Sequence, residues 1–406
     1  MTESATLPCS GLTVVELTTT MVSGPMCGQI LADMGADVIR LEGLQGEMMR
    51  FIHPVRGGVA ASFAQFNRNK RSIAVDMKSD KGHEIAWKLI EKADILIENF
   101  RAGVADKIGF GYEAVRSRNE RLIYVSVNGF GSSGPYADQP AYDMTIQGLV
   151  GFMPIQGTKD DPRAIRSVIV DKVTAMAAAN AALGAVIHRF STGRGQKVEV
   201  AMMDAWAAVV LPEIMATHAY SDDPEPPAEA PDVYRPIRTK DGHIIGFIGQ
   251  DRQFAAVCRT LGREDLLAEP RFATPPMRIK LMNEIIGELE KKTVEYSSED
   301  LLALLRATGD VVVAPVNSMT DFFVDPQAVH NGTIYEINDP ELGRLKQIKP
   351  MANFMGAAPF SKRRAPRHGE QSRELLAEFG YGQEEIAALL DNGVVLQTFD
   401  GDTGRR

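Results

Sequence analysis

Hydrophobic and polar positions in the first 130 residues alternate between two rhythms. Short runs rich in β-branched residues read as strands: Thr13 to Leu17, Ala36 to Glu42, Arg71 to Asp76, Asp94 to Glu98 and Leu122 to Val127. Helical spacing fills the intervals, from Gly24-Pro25 to Asp33 and from Ser79 to Ala93. Strands separated by helices predict an α/β fold built on a parallel sheet. Such sheets bind ligands at the carboxyl ends of their strands, which directs attention to polar residues placed just after a strand.

Farther along, Val168-Ile169-Val170 predicts a strand-like segment, and the alanine-rich stretch Val173 to Ile187 a buried helix. Asp171 stands at their junction. Local pattern leaves it two roles. It caps the helix, a contribution of roughly 0.5–2 kcal/mol, or it is a reactive carboxylate kept ionised by the helix N-terminus. An acidic, proline-rich break then predicts a linker at 221–233. The expected organisation is a large domain over 1–220 and a small domain over 234–316. A return linker over 317–349 leads to a C-terminal part, 350–406, that rejoins the large domain. The small domain is expected to carry a strand pair around Lys240-Asp241-Gly242-His243 and helices at Arg252 to Leu261 and Met277 to Thr293. A short helix is expected at Gln383 to Leu390.

Composition narrows the chemistry. The chain of 406 residues is 44% hydrophobic and 24% charged, ordinary values for a globular protein with ample core. A net charge of -9 argues against nucleic acid as the main partner. Cys9, Cys27 and Cys258 form no CxxC or paired framework, and the seven histidines form no cluster, so neither a disulfide scaffold nor a zinc site is expected. No apolar run approaches the roughly 20 residues of a membrane span, and the N-terminus lacks the features of a secretory signal, so a cytoplasmic location is expected. There is no GxGxxG after the first strand and no GxxxxGK[ST], which removes the dinucleotide fingerprint and the P-loop. Arg40, Lys78, Arg101 and Lys107 recur near successive strand ends, where they suit a phosphorylated ligand. The loop Gly129 to Pro135 permits close backbone approach to a ligand.

The segments GLTVVELTTTMVSGPMCGQILADMGADVIRLE, NRNKRSIAVDMKSDKG, ADILIENFRAGVADKIGFGYE, LIYVSVNGFGSSGPYADQPAYD and STGRGQKVEVAMMDA run from residue 11 to about 205. Together they resemble the class III CoA-transferase family, which also contains the α-methylacyl-CoA racemases. The resemblance implies a Rossmann-like large domain plus a smaller α+β domain, in a homodimer of interlocked subunits. It implies acyl-CoA and a small carboxylic acid as substrates, with no metal and no permanently bound cofactor. Arg40, Val75, Lys78, Asn99, Phe100, Arg101 and Lys107 fall at the family's CoA-contacting positions. Asp171 falls on its catalytic aspartate, which attacks the thioester to form an acyl–aspartyl anhydride and then an aspartyl-CoA thioester.

The racemase branch carries a histidine where this chain has Tyr142, in Ala141-Tyr142-Asp143. A phenol is a poor base at neutral pH, which favours transfer. By the same resemblance Tyr142, Asp143, Gly246, Gly249 and Gln250 belong to the substrate pocket. Only Gly246 and Gly249 stand where formyl-CoA transferases carry a glycine flap. Val22 replaces a glutamine of those enzymes and predicts an acyl group larger or less charged than oxalate, with Met48, Met49 and Phe51 as candidate lining. Two other readings stand beside transfer: an acyl-CoA isomerase pairing Asp171 with Asp143, and a non-catalytic CoA-binding protein in which Asp171 is a cap.

Overall fold

The segment Thr13–Leu17 forms β1, the middle of a sheet whose other parallel strands are β2 (Asp37–Glu42), β3 (Lys70–Val75), β4 (Ile95–Glu98), β5 (Ile123–Asn128) and β6 (Lys197–Ala201). The computed structural model describes residues 6–19, 22–220, 233–355 and 359–398. All but residue 233 of the expected linker at 221–233 lies outside them. Across the sheet the order is β3-β2-β1-β4-β5-β6, and Val395–Leu396 adds one antiparallel strand outside β3. The chain winds from β1 out through β2 and β3, then returns to β4 on the other side of β1. That reversal makes the carboxyl ends of β1 and β4 the switch point, where a crevice opens in doubly wound sheets.

Successive residues of β1 explain the layers. Val15 faces a core shared with Ile39, Ile73 and Leu96, closed by α2 (Asp80–Lys92). Val14 faces the opposite core, with Val38, Ile95 and Ile123. Here α1 (Ser23–Asp33) packs beside a long helix spanning Ile169–Thr192, through Cys27, Leu31, Ala175, Ala178 and Ala182. The alanines lack side-chain bulk, so the two helices approach closely on the sheet. The expected stretch Val173 to Ile187 is thus the middle of a longer helix. Among the described residues that helix alone is apolar and long enough to cross a membrane, contrary to the sequence expectation. Half of its apolar window is buried in the fold, as suits a core helix.

Packing divides the chain into two compact units, Met1–Pro212 with Ile334–Arg406, and Glu213–Thr333. In the second, Ile237–Arg238, His243–Phe247 and Val312–Pro315 make an antiparallel three-stranded sheet. Helices Asp251–Thr260, Met282–Thr293 and Ser298–Ala307 enclose a core with Ile244, Phe254, Ile285 and Leu301. The single helix expected over Met277 to Thr293 is divided at Leu281, after Pro275–Lys280. The stretch expected as a plain return linker carries its own structure, including helix Met319–Val324 and the hairpin Ile334–Asp339/Gly343–Ile348. Asp339 Oδ1 fixes that hairpin's turn by accepting from the N–H groups of Glu341 and Leu342, each at 2.9 Å.

Candidate active site

The helix carrying Asp171 is preceded by the short helix α3 (Asp143–Leu149); the long helix itself, Ile169–Thr192, is α4, and α5 (Met202–Val210) follows it. The run Val168 to Val170, expected as a strand, turns helical at Ile169, because the donors of its first turn find an acceptor outside the helix. Val168 at the N-cap has no side-chain acceptor to offer. Asp143 supplies one: its Oδ2 accepts from Val170 N–H at 2.7 Å and Asp171 N–H at 3.3 Å. These are the second and third residues of the helix, the donors an N-cap side chain ordinarily satisfies. The capping role therefore falls to Asp143, and Asp171 is itself part of what is capped.

Freed from capping, the Asp171 carboxylate points to the loop between β1 and α1. Val22 N–H and Ser23 N–H donate to its Oδ1 at 3.2 and 3.1 Å. Its Oδ2 is buried and accepts no hydrogen bond among the described residues. The side chain is 0% exposed. Burial raises the Asp171 carboxyl above its ordinary value, the two N–H donors oppose this, and the charge of Asp143 adds to the rise. The helix-end donors nearest Asp171 are committed to Asp143 and do not reach its carboxylate.

Asn99, just beyond β4, fastens the same loop. Its Oδ1 accepts from Thr19 N–H at 2.8 Å and its Nδ2 donates to Thr19 O at 2.9 Å, bridging the two strand ends at the switch point. Gly24 is required by this closeness, for a Cβ there would lie 2.6 Å from the Thr18 methyl and 3.4 Å from the Asn99 Cβ. Lys70 secures the start of α1, its Nζ donating to Pro25 O (2.7 Å), Glu16 Oε2 (2.7 Å) and Asn67 Oδ1 (2.8 Å). Burial pushes Lys70 down to about 8.

The other expected residues divide sharply. Lys78, Arg101 and Lys107 are exposed after β3 and β4 and enter no ion pair among the described residues. Phe100 is half-buried, its N–H donating to Glu98 Oε2 at 2.8 Å. Val75 and Arg40 are fully buried. Val75 pairs with Val395 at the sheet edge. Arg40 sits among Glu16, Glu47 (2.7 Å) and Glu42 (3.4 Å), so its charge balances carboxylates inside the fold and is not presented at the surface. Burial works against ionisation of Glu42, yet Arg50 and Arg40 hold it down to about 2.

Val22 is the buried N-cap of α1. Tyr142, 53% exposed, is the N-cap of α3, where Thr145 Oγ1 accepts its N–H at 3.0 Å. Met48 and Phe51 are exposed, whereas Met49 packs against Val59 and Phe63. In the second unit Gly246 lies in a strand where a Cβ would meet Val312 O at 2.4 Å. Gly249 is buried, and Gln250 is the exposed N-cap of Asp251–Thr260. Buried Arg278 holds this turn, donating to Gly249 O at 2.9 Å and to Asp251.

Sequence reasoning missed Ser23 and Gln147. Gln147 is buried, donating to Asp143 Oδ1 at 2.6 Å and accepting from Ile165 N–H at 2.8 Å. Its spacing of four from Asp143, on one helical face, was the available signal.

A family model, CoA-transferase family III, matches residues 9–372. The chain belongs to CoA-transferase family III. As such it is an enzyme, a CoA-transferase acting on CoA thioesters. It is 34% identical to a succinate–glutarate CoA-transferase of Agrobacterium fabrum, over 91% of this chain and 95% of the relative. It is 30% identical to a formyl-CoA:oxalate CoA-transferase of Escherichia coli, over 96% and 99%. Among solved structures it is similar to a CAIB/BAIF family protein from Brucella suis, with a TM-score of 0.82 and 34% identity over 93% of this chain and 100% of that one. Membership of family III sets aside the non-catalytic reading.

Proposed function

We propose that this family III enzyme moves CoA from an acyl-CoA to a free carboxylic acid through Asp171. The observation that carries the reading is the asymmetry of that carboxylate: Oδ1 is held by Val22 and Ser23 N–H, while Oδ2 is buried and accepts no hydrogen bond among the described residues. Oδ2 attacks the thioester carbonyl carbon, the C–S bond breaks and CoA thiolate leaves an acyl–aspartyl anhydride. Thiolate then attacks the aspartyl carbonyl, releasing the donor acid and leaving an aspartyl-CoA thioester. The acceptor carboxylate repeats the sequence in reverse, and Asp171 is restored. Burial of the site protects both hydrolysable intermediates from water. Because Asp171 is fully buried, a thioester reaches it only after the groups over it move aside.

The CoA phosphates are assigned to Lys78, Arg101 and Lys107, exposed at the carboxyl edge of the sheet and in no ion pair among the described residues, with Asn99 and Phe100 beside them. Short dicarboxylic acids are the proposed acceptors, after the relative acting on succinate and glutarate. Val22, an apolar residue beside Asp171, suits an acyl chain. Isomerase chemistry is disfavoured, since it asks Asp143 to act as a base while both its oxygens accept hydrogen bonds. The interlocked homodimer is part of the proposal. It is supported by the exposed Met176, Ile187 and Phe190 on α4, and light scattering giving a monomer would remove it.

The deciding experiment mixes the enzyme with succinyl-CoA and traps with hydroxylamine or borohydride. Modification of Asp171, located by mass spectrometry, is expected. An unmodified Asp171 under turnover with glutarate would overturn the mechanism.

A further inference from the structure

We propose that Asp143, oriented by Gln147, is a positioning residue for the transfer reaction, taking up the helix-end donors so that Asp171 keeps its electron density for attack. The inference rests on Asp171 being the nucleophile. An aspartate in the first turn of a helix is normally a weakened nucleophile, because unpaired N–H groups and the helix dipole draw on its charge. Here the N–H groups of Val170 and Asp171 are occupied by Asp143 Oδ2. The Asp143 charge also acts on Asp171, and Asp171 Oδ2 is buried without a donor among the described residues. Basicity and nucleophilicity rise together for an oxygen so placed.

Gln147 makes the arrangement rigid. One turn along α3 from Asp143, it donates to Asp143 Oδ1 and pins the backbone of Ile165, in the segment leading into α4. The caps Ser297 and Ser318 are braced only within the helices they cap, by Asp300 and Asp321, whereas Gln147 also ties Asp143 to the separate segment at Ile165.

The charged groups on the elements packed around Asp171 leave Asp143 as its main ionisable influence. On α1, Asp33 is at the far end and paired with Arg68. On α4 itself, Lys172 turns to Ser167, and Arg189 pairs with Asp94 at the opposite end. On α5, Asp204 is exposed. On β6, Lys197 and Glu199 pair with each other, and on β5 Tyr124 donates to Phe110 O.

The test is Asp143→Asn, which keeps an acceptor for the cap and removes the charge. Single-turnover release of CoA from succinyl-CoA is followed across pH, alongside a carbon-13 titration of the Asp171 carboxyl. The expected result is release slowed ~10-fold or more, an acid limb and Asp171 midpoint moved to lower pH, and a melting temperature close to wild type. An unmoved midpoint and limb would overturn the proposal and leave Asp143 a cap. If Asp143→Asn does not fold, Gln147→Leu carries the test: kcat falls while KM for succinyl-CoA holds, and an unchanged kcat overturns it. Hydroxylamine trapping of the wild-type enzyme separates the two levels. No adduct sinks the nucleophile, whereas the titration still reports whether Asp143 governs Asp171.

Discussion

Asp171→Asn should make the protein more stable as it makes it inactive. Once ionised, Asp171 is a buried carboxylate with one oxygen unpaired among the described residues, and the Asp143 charge acts against it. A buried charge lacking compensation costs several kcal/mol. Asparagine occupies the same volume, keeps an acceptor for Val22 and Ser23 N–H, and places an NH2 group where Oδ2 was. That donor without an acceptor costs about 1–3 kcal/mol. The difference leaves a net gain of about 1–2 kcal/mol at pH 7.5, or roughly 1–2 °C in melting temperature.

The sign of the pH dependence follows from burial raising the folded-state carboxyl. The contribution of Asp171 to stability is fully present below its unfolded value, near ~3.9. It is lost as pH rises through the raised folded value. The advantage of the variant should therefore be small near pH 4 and grow with pH until Asp171 is ionised. Calorimetry of both proteins at intervals between these limits measures it, with transfer from succinyl-CoA to glutarate expected to fall at least ~10³-fold. A variant less stable at pH 7.5, or a difference flat with pH, would refute the claim that this carboxylate is held against the preference of the fold.

Three further outcomes are expected. Lys70→Met should destabilise by about 3–5 kcal/mol, measured by urea unfolding, because Glu16, Asn67 and Pro25 O lose their shared donor. Asn99→Ala should lower kcat with little change in the fold's circular dichroism, since Thr19 loses both of its bonds to that side chain; a wild-type kcat would show that the loop is held by other contacts. Arg278→Ala should expose the second unit to limited proteolysis at temperatures where the wild type resists, because the carbonyls of Gly249 and Phe272 lose a buried partner worth about 1.5–3 kcal/mol each.

The parallel sheet was legible because both its faces are covered, so β1 to β5 carry short β-branched runs with helical spacing between them. The start of α4 was misread for the same physical reason that makes Val168-Ile169-Val170 look like a strand. β-branched residues favour extended backbone, but a carboxylate 27 residues earlier in the chain captured their N–H groups. Propensity sees neighbours only. Asp171 itself was found through the likeness of whole segments, while the burial of its carboxylate belongs to tertiary structure alone. The burial of Arg40 was equally invisible, because a cation within a strand looks the same whether it meets solvent or three glutamates.

The antiparallel strand Val395–Leu396 closes the open side of β3. During synthesis that edge waits for roughly 320 further residues, some 15–60 s at ordinary rates of elongation. Until then the emerging chain exposes the ladder of Lys70–Val75, apolar apart from its polar start, as a template for unwanted pairing. Truncation before residue 395 should thus yield a protein that aggregates through this strand even with the residues around Asp171 all present. The strand Val395–Leu396 serves the first unit's solubility, and expression designs that cut before it take on that risk.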